Sequence, residues 1–138
     1  MTIKAQITVV GSGYVGMSLS VLLAQQNDVI ILDINEERVN KINRMQSTVA
    51  DSEIELFLNK KSLSLRATLE KEVAYEGASI IIIATPTNYD TGTNRFDTSS
   101  VDEVVEEALR INQNALIVIR STIPVGHTKS LQEKFQTE

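Results

Sequence analysis

The sequence predicts an α/β domain built on a doubly wound parallel sheet, and three observations carry that reading. Short β-rich apolar runs alternate with longer segments of helical period, the order expected of parallel strands joined by crossover helices. A glycine pattern, "GSGYVG" at 11–16, separates the first such run from the helical segment after it. An acidic residue, Asp33, stands at the end of the second run.

Taken in order, residues 7–10 form the first strand, and Val15, Leu19, Leu22 and Leu23 then recur at helical spacing. Residues 29–32 form the second strand, followed by "NEERVNKINRM", a helix with Val39 and Ile42 on one face. A short helix over 52–60 carries a capping-box arrangement of Ser52 with Glu55. "LSLRAT" at 63–68 is the third strand. The most apolar run, 79–84, is placed at the centre of the sheet, because a parallel strand covered on both faces reads as continuously hydrophobic. A polar loop follows. Ser100 and Glu103 are expected to cap the next helix, whose Val101, Val104, Val105, Ala108 and Leu109 form an apolar stripe. Residues 115–119 give the fifth strand, and Leu131 with Phe135 marks a last helix. The spatial order is 3-2-1-4-5, a three-layer αβα Rossmann-type fold. Pro86 and Pro124 fall just past the carboxyl ends of the fourth and fifth strands, the edge that holds the ligand crevice in such sheets, and they stiffen both loops.

Composition narrows the function. The chain has 138 residues, 42% of them hydrophobic, which suits one core. A net charge of −5 supplies no basic field to draw the chain to nucleic acid or to an anionic membrane. Apolar stretches such as "IIIIA" at 80–84 fall well short of the ~20 residues that a membrane helix needs. The first residues carry no secretion pattern, so the expected location is cytoplasmic. There is no cysteine, which excludes disulfides, thiolate metal sites and a cysteine nucleophile within these residues. No metal-ligand spacing occurs, and no metal is expected.

In the glycine pattern, Gly11 permits the tight turn from strand to helix, Gly13 leaves room for a pyrophosphate against the backbone, and Gly16 lets helix and strand pack closely. The helix N-terminus then offers free N–H groups and partial positive charge to the phosphates. A carboxylate at Asp33 can accept from the ribose hydroxyls of an adenosine and would repel a 2′-phosphate, which favours NAD over NADP. The bare alternative, a tight turn with Asp33 merely capping the helix of "NEER", does not need strand, helix and acid in register together.

Three stretches make the pattern specific: "GSGYVGMSLSVLLAQ" at 11–25, "ATPTNYDTGTNRFDTSSV" at 84–101 and "IRSTIPVGHT" at 119–128. Together they resemble the N-terminal, NAD-binding domain of the UDP-glucose/GDP-mannose dehydrogenase family, over essentially the whole chain, and the second stretch is closest to bacterial members acting on UDP-glucose. The resemblance implies an enzyme that oxidises the sugar's primary alcohol to a carboxylate with two NAD, through a thiohemiacetal and a thioester on a cysteine. Carried onto matching positions, it implies that Tyr14 and Val15 meet the pyrophosphate through their backbone. Asp33 and Arg38 would border the adenosine ribose, Thr87 would approach the cofactor, and Thr122 would lie near the reacting centre as well as the cofactor. A threonine hydroxyl can donate to a developing oxyanion or orient a water but is too weak an acid to act as the base unaided.

The family supplies its cysteine, base and UDP pocket from residues not present here. Residues 1–138 are therefore expected to be the cofactor domain alone, without the central dimerisation helix and the UDP-sugar domain, binding NAD as a monomer without turning over. The full-length protein would be a homodimer that also binds UDP-glucose. "INRMQSTVADSE" at 42–53 departs from the family's Gly-x-Ser-Pro-Ile type segment. Alternatives are a cofactor domain for another nucleotide sugar or a 2-hydroxy acid, a stand-alone NAD-sensing module and, more distantly, a methyltransferase. His127, the sole histidine, is expected to face solvent, as is the acidic run "DEVVEE" at 102–107.

Overall fold

The computed structural model describes residues 5–60 and 62–136. Five parallel strands form the main sheet: β1 (Gln6–Val10), β2 (Asp28–Leu32), β3 (Leu65–Thr68), β4 (Ile80–Ile83) and β7 (Leu116–Ile119), in the order β3-β2-β1-β4-β7. That is the expected 3-2-1-4-5, the last strand's label shifted by a small antiparallel pair, β5 (Asn88–Asp90) with β6 (Arg95–Asp97). The pair lies within the stretch expected to be loop. The helices are α1 (Tyr14–Leu23), α2 (Glu36–Asn43), α3 (Ser52–Lys60), α4 (Lys71–Tyr75), α5 (Ser99–Ile111) and α6 (His127–Phe135).

Strand alternation distributes the core to two faces. Ile7, Val9, Val29, Ile31 and Ile82 turn toward a cluster with Met17, Val21, Val39, Ile42, Ile54 and Leu58, which α1, α2 and α3 supply. Their neighbours Val10, Ile30, Leu32 and Ile81 turn the other way, onto Ala74 and Tyr75 of α4 and Ala108 of α5. Ile83 continues this second face against Val101, Val105 and Leu131 of α5 and α6. Both faces of the central strands are thus covered, which is why β4 reads as an unbroken run of isoleucines.

Two expected helix caps move by a residue or two. α3 is capped by Asp51, whose Oδ1 accepts from the Ile54 N–H at 3.0 Å and whose carbonyl accepts from Glu55, and not by Ser52. A carboxylate also complements the positive end of the helix better than a hydroxyl. α5 starts at Ser99 after an N-cap at Thr98, so Ser100 lies inside the first turn and its hydroxyl is used elsewhere. α4, a single short turn-and-a-half, has no counterpart among the expected elements.

Strand order reverses between β1 and β4. The two strands leave on opposite sides of that seam, and the opening at their carboxyl ends is where such sheets bind ligands.

Candidate functional site

At the seam, the turn from β1 into α1 is fixed by close backbone packing. Gly11 has φ of +103°, and a Cβ there would stand 2.8 Å from the Ala84 carbonyl oxygen at the end of β4. A Cβ on Gly16 would come within 2.0 Å of the Gly11 carbonyl oxygen. Neither position admits a side chain. Gly13 differs: a Cβ there would meet nothing within 4 Å, because this glycine faces open space. It is the N-cap residue of α1, whose first turn holds no acidic residue, so the unpaired N–H groups of that turn meet no carboxylate on their own helix. A bare, positively polarised helix end beside an unfilled position suits a phosphate group.

Asp33 is only 9% exposed and faces this turn. Its Oδ2 accepts from the Ser12 backbone N–H at 3.0 Å and the Ser12 hydroxyl at 2.5 Å, and its Oδ1 accepts from the Asn35 N–H at 2.9 Å. The carboxylate is held in one orientation at the end of β2. Ser12, the first variable position of the pattern, is the partner that a reading of the glycines alone passes over. Its carbonyl accepts from the Thr48 hydroxyl at 2.5 Å, so the segment that departs from the family pattern braces the turn.

Around this centre lies a cleft of about 900 Å³. Gly11, Gly13, Tyr14, Val15, Asp33, Arg38, Thr87 and Thr122 all line it, whereas Gly16 stands behind as a packing residue. Tyr14 and Val15 are exposed at its mouth, at 61% and 40%. The Asp51 carboxylate beside the Tyr14 hydroxyl raises the tyrosine's pKa by hydrogen bonding and by charge. Arg38 donates its backbone N–H to the Asn35 cap of α2, leaving its exposed side chain along the cleft.

The loops after β4 and β7 form the other end of the cleft and are tied crosswise. The Thr87 hydroxyl donates to the Thr122 carbonyl at 2.7 Å. The Ser121 hydroxyl donates to the Thr85 carbonyl at 2.6 Å, and the Ser100 hydroxyl to the Pro86 carbonyl at 2.9 Å. Thr122 itself is exposed to the cleft, while its neighbour Ser121 is half-buried and spent on structure.

His127 does not face solvent as expected. Its Nε2 lies 2.6 Å from Asp102 Oδ1, joining the start of α6 to α5, and its side chain is 16% exposed. Asp102 belongs to the acidic run expected to be solvated, as does Glu107, which pairs with Lys71 at 2.7 Å. Both acids reach partners across the fold that no local spacing reveals. Among the described residues no cluster of histidine and acidic side chains could hold a metal ion, and no helix is long and apolar enough to cross a membrane.

Comparison with known proteins identifies the family. Residues 5–138 match the model of the UDP-glucose/GDP-mannose dehydrogenase family, NAD binding domain. The UDP-glucose 6-dehydrogenase of Streptococcus pneumoniae is 46% identical over 133 residues, covering 96% of this chain and 34% of that protein. The enzyme of the same name from Campylobacter jejuni is 39% identical over 132 residues, covering 94% and 34%. A UDP-N-acetyl-D-mannosamine dehydrogenase of Methanococcus maripaludis is 33% identical over 135 residues, covering 93% and 31%. Among solved structures, a UDP-glucose dehydrogenase of Pyrobaculum islandicum superposes with a TM-score of 0.84 at 23% identity, over 96% of this chain and 32% of the other, a likeness of fold. The chain spans about a third of the length of the relatives it matches.

Proposed function

The chain belongs to the UDP-glucose/GDP-mannose dehydrogenase family as its NAD-binding domain, and from that premise we propose that it serves a UDP-glucose 6-dehydrogenase, which oxidises UDP-glucose to UDP-glucuronate with two NAD. The observation that carries the site assignment is the buried Asp33 carboxylate, fixed beside a glycine turn whose middle glycine faces open space. UDP-glucose is favoured because the two UDP-glucose enzymes stand at 46% and 39% identity, against 33% for the N-acetylmannosamine enzyme.

In this reading Gly11 and Gly16 shape the turn, and Gly13 with the backbone N–H groups of Tyr14 and Val15 receives the pyrophosphate. Asp33 accepts from the adenosine ribose, flanked by Arg38. Thr87 and Thr122 border the opposite, reacting end. NAD, when bound, supplies the hydride acceptor. Thr122 presents a hydroxyl that can donate to negative charge developing on the sugar oxygen, an interaction strongest in the transition state. The covalent steps need a thiol, and none of the 138 residues is a cysteine, so this domain alone should bind NAD without turnover. We place the whole enzyme in the cytoplasm as a homodimer and this domain by itself as a monomer.

Calorimetric titration with NAD and NADP, on the chain and on Asp33→Ala, tests the assignment. Saturable NAD binding, weaker NADP binding and loss of that preference in the variant are expected. A chain that binds neither, or a variant that keeps the full preference, would overturn it.

A further inference from the structure

The cleft is also lined by the exit of β3, by α4 and by α5, an arm that no proposed contact has yet used. β3 ends there beside β2, the Asp33 N–H donating to the Thr68 carbonyl at 3.3 Å, and α4 follows directly. The arm's apolar walls are Ile34, Leu69, Tyr75 and Val104. Its charged members include Lys71 and Glu107, whose Nζ and Oε1 are 2.7 Å apart. Lys71 is on α4 and Glu107 on α5, so the pair bridges the two helices at the cleft wall. Tyr75 lies in the same wall, and its hydroxyl is buried with no hydrogen-bond partner among the described residues. Burial and the Glu107 charge both push that hydroxyl's pKa upward.

With the pyrophosphate on α1 and the ribose at Asp33, a dinucleotide's purine falls into this arm. Apolar walls fit the faces of a flat ring, and only the polar groups can distinguish one ring edge from another. Lys71 engages Oε1 of Glu107 and neutralises part of its charge, leaving Oε2 as an acceptor. We propose that Glu107, steadied by Lys71, accepts a hydrogen bond from the 6-amino group of adenine and so selects an adenine dinucleotide over one with a 6-oxo purine. A 6-oxo ring would set its carbonyl oxygen against the carboxylate, two acceptors with no proton between them, and a site built to receive a donor rejects an analogue that lacks it. This assignment rests on the dinucleotide reading and adds to it a specificity residue outside the glycine pattern.

The test is titration of the chain with NAD and with nicotinamide hypoxanthine dinucleotide, which carries a 6-oxo group and an N1–H where adenine has its 6-amino group and a bare N1. The wild-type chain should prefer NAD by about tenfold or more, and Glu107→Gln, whose amide can donate as well as accept, should bring the two within about threefold. Equal binding of both by the wild-type chain, or an unchanged preference in Glu107→Gln, overturns the proposal and leaves the dinucleotide site standing. Failure of both ligands to bind the wild-type chain overturns the dinucleotide reading and this one with it. If Glu107→Gln does not fold, Glu107→Asp serves the same purpose, because its shorter reach should also erase most of the preference.

Discussion

One oxygen of the Asp33 carboxylate holds Ser12 by accepting two hydrogen bonds, from the Ser12 N–H at 3.0 Å and from its hydroxyl at 2.5 Å, across the mouth of the glycine turn. The residue proposed to select the cofactor is thus also a fastener of the loop proposed to receive it. Asp33→Ala should lower folding stability by roughly 1–3 kcal/mol, since it strands the N–H groups of Ser12 and Asn35. Urea unfolding without ligand checks this, and a variant as stable as wild type would show that the carboxylate serves binding alone.

Gly13 and Gly16 should respond in opposite ways to alanine. Gly13→Ala adds a methyl group to open space at an ordinary φ, where the poorer cap and the stiffer unfolded chain oppose each other, so unfolding should change by no more than about 1 kcal/mol. NAD affinity should nonetheless fall by about tenfold, because the methyl occupies the approach of the pyrophosphate. Gly16→Ala meets the Gly11 carbonyl at 2.0 Å and should destabilise the fold by roughly 3 kcal/mol or more. Thermal melts paired with calorimetry separate the two effects.

Acid should weaken the fold through two carboxylates at helix starts. The Ile54 N–H and then the Tyr14 hydroxyl lower the pKa of Asp51, and the Ser99 hydroxyl and N–H lower that of Asp97. Both groups hold their protons less well folded than unfolded. Their contribution is therefore complete above the ordinary value of 3.8 and is lost as pH falls through the lower folded values. The urea midpoint should decline at acid pH, and Asp51→Asn with Asp97→Asn should flatten that decline.

His127→Ala should loosen α6 more than any other element. The helix is tied to α5 by the contact with Asp102 and by Leu131, its one buried residue. A cost of about 1 kcal/mol is expected for the half-buried hydrogen bond. Amide exchange that speeds up in α6 but not in α1 would bear this out, and uniform protection would refute it.

The main sheet and its order were legible because each strand is a short apolar run, and the crossovers from β1 to β2 and from β2 to β3 carry apolar residues at helical spacing. The placement of the glycine turn beside Asp33 was legible for a related reason: it depends on local spacing. What lay beyond reach was long-range or nearly featureless. α4 spans Lys71–Tyr75, too short for a helical period to show. The β5–β6 pair is mostly polar and exposed, held by an edge-to-face contact of Tyr89 and Phe96 with ring centres 5.1 Å apart. The His127–Asp102 and Lys71–Glu107 pairs join residues far apart in the chain. The cap of α3 fell on Asp51 because its carboxylate, unlike the Ser52 hydroxyl beside it, also answers the positive end of the helix.

The contact between Gly11 and the Ala84 carbonyl has a consequence for how the glycine pattern can change or be moved. The turn is complementary to a main-chain atom on another strand, so its true extent is not the six residues that spell it. A substitution that shifts the exit of β4 alters the glycine turn without touching its letters, and one that crowds the turn must be answered at β4. A graft of this turn into another sheet would have to carry the β4 exit with it.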